Sequence, residues 1–124
     1  MRPIYLTYPA VTATFNTDPI VLDQYISPGN AAVTIAMTGG TGPSASVVLQ
    51  YTTDNVLDPN VTNYLWQPFA ASPFSAAGAY TFNTVGAVEG IFTYAPKAVR
   101  VQVTAVAGSP TIAVQVIQVG IGGT

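Results

Sequence analysis

Ala98-Val99-Arg100-Val101-Gln102-Val103-Thr104-Ala105-Val106 carries the clearest periodic pattern in the chain. Val99, Val101, Val103 and Ala105 alternate with Arg100, Gln102, Thr104 and Val106. A period of two sets an apolar face against a mixed one, as in a half-buried strand. After Gly108-Ser109-Pro110 the alternation resumes, with Ile112, Val114 and Val116 against Ala113, Gln115 and Ile117. Residues 98–119 are therefore expected to form a hairpin with a short Gly-containing turn. Gln118 falls on the apolar side of the second strand, which predicts a bulge near Ile117 or a strand buried on both faces.

Further strands are expected at about 20–26, 31–38, 45–53, 64–67, 79–83 and 91–94. Turn clusters such as Ser27-Pro28-Gly29-Asn30 and Gly39-Gly40-Thr41-Gly42-Pro43 separate them. The second cluster has the glycines of a phosphate loop, but no Lys and no helix start follows it, so it reads as a hairpin turn. Ten Pro and eleven Gly are spread along the chain and leave no window for a helix. Short strands at this spacing predict an all-β fold, an antiparallel two-sheet β-sandwich that is Ig-like or jelly-roll-like. Residues 20–119 form the sandwich in this reading, and 120–124 a flexible tail. Pro3, Pro9 and Pro19 interrupt a Tyr- and Thr-rich stretch, so residues 1–19 read as an extended N-terminal arm or an edge strand. Arg2, Tyr5 and Tyr8 are its candidate subunit-interface residues.

Composition narrows function by exclusion. Only 6% of the 124 residues are charged, against about 25% in an ordinary domain. The chain has no His and no Cys. That removes Ser-His and Cys-His nucleophile pairs and imidazole or thiolate metal sites. No cofactor, metal or catalytic residue is expected. Three scattered basic residues cannot neutralise a run of phosphates, so nucleic acid is not an expected partner. Every apolar run is cut by Thr, Gln, Gly or Pro before the roughly 20 residues that a spanning helix needs, so no membrane is expected. Met1-Arg2-Pro3-Ile4-Tyr5 lacks the apolar stretch of a secretory signal, and the expectation is a protein made in a cytoplasm. A surface this poor in charge is suited to association, so a homo-oligomer or a place on a larger lattice is expected.

Few residues invite a chemical reading. Asp54 and Asp58 lie in one polar loop, but the EF-hand spacing is absent, and a glycosidase pair requires a shaped cleft. Capping of turns by their own side chains is the preferred reading. Asn60-Val61-Thr62 matches a glycosylation acceptor only by pattern. Tyr64, Trp66 and Phe69 are the candidate glycan platform, although a single Trp in a sandwich more often fills the core. Asp23 and Arg100 each interrupt an apolar strand and are the candidate structural ion pair, within the chain or across a subunit boundary.

Val21-Leu22-Asp23-Gln24-Tyr25, Val48-Leu49-Gln50-Tyr51-Thr52-Thr53-Asp54-Asn55, Trp66, Ala98 through Ala105, Gly108-Ser109 and Val116-Ile117-Gln118 occur in this order. The series resembles small virion structural proteins of tailed bacteriophages, over about residues 20–119. The resemblance implies a β-rich particle protein without enzymatic activity. The expected role is a capsid decoration or cement protein that binds the outer head surface and bridges capsid subunits. The implied partners are the major capsid protein or other virion proteins and further copies of itself, a trimer suiting a threefold position. The alternative is a glycan- or receptor-binding sandwich of a phage tail, neck or head fibre.

Overall fold

The computed structural model describes residues 4–22, 27–54, 60, 65–92 and 96–121; among them there is no helix. β1 (Ile4–Tyr8), β10 (Thr111–Ile121), β4 (Ser27–Thr38) and β8 (Gly86–Phe92) form one sheet in that order. The second sheet runs β2 (Phe15–Asn16), β9 (Ala98–Ala107), β5 (Ser44–Thr52) and β6 (Gln67–Pro68). β3 (Ile20–Val21) also pairs with β9, and β7 (Ala79–Phe82) with β5. All pairings are antiparallel.

Register shows that β2 and β3 are two stretches of one edge position along β9. β6 and β7 are likewise two stretches along β5, with residues 69–78 looping out between them. Eight strand positions result, and the chain changes sheet at nearly every connection between them. That is the jelly-roll connectivity, and it selects between the two sandwich types the strand spacing left open.

The connectivity corrects the expected hairpins. β9 and β10 are not partners: β9 pairs with β2, β3 and β5, and β10 with β1 and β4. Gly108-Ser109-Pro110 is therefore an arch from one sheet to the other, and Gly39 to Pro43 is a second arch, between β4 and β5. Alternation cannot tell an arch from an in-plane turn, because both return an inward-facing strand to the same core. The glycines belong to the arches. Gly108 has φ +80, and a Cβ there would lie 2.6 Å from the Thr41 carbonyl oxygen and 2.8 Å from Pro43 Cα. The arches touch, with the Thr41 N–H donating to the Gly108 carbonyl at 2.9 Å.

Inward-facing side chains of the two sheets supply the core, including Val33, Ile35, Met37, Val47, Leu49, Val101, Ile112 and Val114. Area removed from water at these positions is the main favourable term. One flank is sealed by rings: Phe69 lies 4.5 Å from Phe92 and 5.6 Å from Phe74, and Tyr51 lies 5.7 Å from Phe92. Gly90 makes room for them, since a Cβ there would meet Leu49 Cδ2 at 2.9 Å and the Phe69 and Phe74 rings at 3.0 Å.

Boundaries shift from those expected. An unexpected bulge falls at Thr104, because Ser46 pairs with Ala105 while Val47 pairs with Val103. Parity flips there: Ala105 is exposed and Val106 packs on the core, the reverse of strict alternation. In β10 the register runs unbroken from Thr111 to Val119 and shifts between Val119 and Ile121, while Gln118 remains inward at 3% exposure. β10 reaches Ile121, so the strand takes in the start of the expected tail. β8 begins at Gly86, five residues before the expected strand, because inward Gly90 hides the alternation of Val88 and Phe92.

Candidate interaction surfaces

The N-terminal segment is part of the sandwich. β1 is an edge strand that pairs with β10 from Ile4↔Val116 to Tyr8↔Ile112. Val11 is buried and its N–H donates to the Pro110 carbonyl at 2.8 Å. Thr17 is buried, donating its N–H to the Val101 carbonyl at 2.8 Å and accepting from the Val101 N–H through Oγ1 at 2.9 Å. No structural break falls at residue 19. Tyr5 and Tyr8, three apart, face opposite ways in a strand. Tyr5 is 65% exposed, whereas Tyr8 packs on the core with its ring 4.8 Å from Phe15. The Tyr8 hydroxyl accepts from the Asp18 N–H at 3.1 Å, and Tyr8 is half-buried. Arg2 lies outside the described residues.

Trp66 is not in the core, and this corrects the preferred reading of its ring. The sandwich space is filled by Phe69, Phe74 and Phe92. Trp66 is half-buried, with the Arg100 guanidinium 4.4 Å from its ring centroid, a cation–π contact. Arg100 Nε donates to Gln50 Oε1 at 2.8 Å, and Gln50 is also its cross-strand partner. Partial burial pushes the Arg100 pKa down from the ordinary arginine value, yet a guanidinium stays protonated in a protein. Arg100 thus has neutral partners, Gln50 and Trp66; Asp23, the expected partner, lies outside the described residues. The glycan platform is not assembled from its three rings, since Phe69 is buried in the core at 6% exposure. Tyr64 lies outside the described residues.

Asp54 is occupied in holding the base of its loop. Its Oδ2 accepts from the Leu65 N–H at 2.5 Å and from Thr52 Oγ1 at 3.4 Å, and its N–H donates to Thr52 Oγ1 at 3.1 Å. The carboxylate caps across eleven residues of chain rather than within its own turn. Asp58 lies outside the described residues. Among the described residues no group of three or more Asp or Glu could hold a metal ion, and no helix is long and apolar enough to cross a membrane.

An open depression of about 330 Å³ lies along Tyr8, Pro9, Val11 and Phe15, and two more mark the sides of the sandwich. One, about 420 Å³, is lined by Thr14, Phe15, Asn16, Gln102, Val103 and Thr104, beside the bulge. The other, about 310 Å³, lies where Ile91 and Phe92 meet Tyr51, Pro68 and Phe69. No ionisable acid or base other than the Tyr51 phenol lines either.

The broadest feature is the outer face of the four-stranded sheet. Register aligns Tyr5, Gln115, Thr34 and Glu89 in one row across all four strands. Gln115 Nε2 donates to the Tyr5 hydroxyl and Thr34 Oγ1 to Glu89 Oε2, each at 3.4 Å. The row on one side reads Thr7, Ala113, Ala36, Ala87; that on the other reads Ile117, Ala32, Ile91. Ile91 is 59% exposed. Among the described residues, Glu89 is the one charged side chain of this face, and Glu89 and Arg100 are the charged side chains of the strands. Tyr5 is the one residue among those expected at an interface that the structure sets on this face. The face itself was missed from sequence because it takes pairing register to align its rows.

Comparison of the chain with family models, with curated proteins and with solved structures finds no match.

Proposed function

We propose that this chain is a non-enzymatic structural protein of a phage particle, a decoration protein that binds the outside of the head and bridges capsid subunits. The observation that carries the reading is the near absence of charge, among the described residues, from both outer sheet faces. A chain that stays monomeric displays mixed charges there; this one displays Ala, Thr, Ser, Val, Gln and Ile, which suit repeated protein contacts. Jelly rolls serve in capsids and in lectins alike, so connectivity leaves the choice to the surface. The reading assigns no catalytic residue and no cofactor; its partners are the major capsid protein or other virion proteins. The test is co-sedimentation with empty phage heads. Saturable binding at a fixed ratio to capsid subunits is expected, and no binding at any concentration would overturn the reading.

The position of Trp66 favours a second reading, a glycan- or receptor-binding module of a tail, neck or head fibre. An indole outside the core is available for stacking on a sugar ring. Against it, the Arg100 guanidinium already takes one side of the ring. A shift of Trp66 emission on titration with host glycans would favour this second reading.

A further inference from the structure

We infer that the outer face of the four-stranded sheet packs on the same face of a second copy of this chain, about a two-fold axis parallel to the strands between β4 and β10. The contact takes the outer face of the four-stranded sheet and leaves that of the other sheet to the head-binding reading, which concerns a different partner. Its occupant follows from self-complementarity. In the row Tyr5, Gln115, Thr34, Glu89, the tyrosine and the carboxylate stand at opposite ends. An axis along the strands reverses the row, so Tyr5 meets the partner's Glu89 and Gln115 meets the partner's Thr34. An axis along the row would set Glu89 on the partner's Glu89, and like charges disfavour that arrangement. The flanking rows agree with the strand-parallel axis: Ala113 meets the partner's Ala36, Thr7 the partner's Ala87, and Ile117 the partner's Ala32. Small residues at the middle let two sheets approach to the roughly 10 Å of face-to-face packing.

The area fits as well. Four strands spaced ~4.8 Å and paired over about seven residues span roughly 19 Å by 23 Å. Both copies together therefore bury on the order of 900 Å² before corrugation is counted, close to the ~1,000 Å² of a specific interface. An isologous contact of that size closes on itself and yields a dimer rather than a filament.

The test is sedimentation equilibrium of the full chain from micromolar to about millimolar concentration, with variants on each sheet. A dimer is expected. Ala36→Arg should weaken it at least ~100-fold by burying an unpaired charge, while Val48→Arg, on the outer face of the other sheet, leaves it within ~3-fold. Thr34→Arg gives the same reading should Ala36→Arg fail to fold, folding being checked by circular dichroism. Glu89→Gln and Tyr5→Phe should each weaken the dimer by about 3- to 10-fold, and together by less than the product, because they break one contact. A chain monomeric throughout, equal losses for Ala36→Arg and Val48→Arg, or a dimer tightened by Glu89→Gln would each overturn the inference. Head binding that survives while dimerisation fails rejects this contact alone.

Discussion

Arg100 shows how far single residues can be read. A lone cation inside Val99-Arg100-Val101 calls for a partner, and that much is legible from composition. The partner is not, because Trp66 and Gln50 reach Arg100 only through the pairing of β5 with β9 and β6. Arg100→Met should cost about 1 kcal/mol in urea unfolding, the scale of one exposed cation–π contact with a side-chain hydrogen bond. It should also shift Trp66 emission. Gly90→Ala tests the aromatic flank: with neighbours at 2.9 to 3.0 Å on three side chains, overpacking should cost about 1–3 kcal/mol. Asp54→Ala should cost about 1–2 kcal/mol by freeing the Leu65 N–H, with a smaller loss for Asp54→Asn, which keeps an acceptor. Added calcium should leave the wild-type Tm unchanged, since the Asp54 carboxylate is engaged by backbone and hydroxyl donors.

At the scale of elements, alternation located β4, β5, β7, β9 and β10 to within a few residues, because each presents one apolar face to a core. Their pairing was not legible. Gly108-Ser109-Pro110 and Gly39 to Pro43 have the composition of hairpin turns, and only the register shows that they arch between sheets. The bulge escaped notice because Ala105 and Val106 are both apolar, so a change of parity between them leaves no mark. Of the two readings the N-terminal segment allowed, the edge strand holds for β1, and Pro9 and Pro19 stand at the joints of β1, β2 and β3 rather than within them. Deleting residues 1–19 should therefore fail to leave a stable sandwich, since β1, Val11 and Thr17 go with it. Thr17→Val probes that link more gently. It leaves the buried Val101 N–H without the hydroxyl that receives it, and a loss of about 1–3 kcal/mol is expected by thermal or urea unfolding.

For the molecule as a whole, a jelly roll whose described strands carry two charged side chains has faces suited to other protein surfaces. The fold class was legible from strand spacing and the charge poverty from composition. What the structure adds is their distribution: Glu89 at one end of a row otherwise neutral, and Arg100 on the other sheet beneath Trp66. On the two proposals above, the face with Glu89 takes a second copy and the other sheet remains for the particle. Co-sedimentation with empty phage heads tests whether the molecule is a part of a particle. Saturable binding at a fixed ratio to capsid subunits, with Trp66 emission indifferent to host glycans, is the expected result. A chain that stays in the supernatant at every concentration while its Trp66 emission moves with a glycan would contradict it.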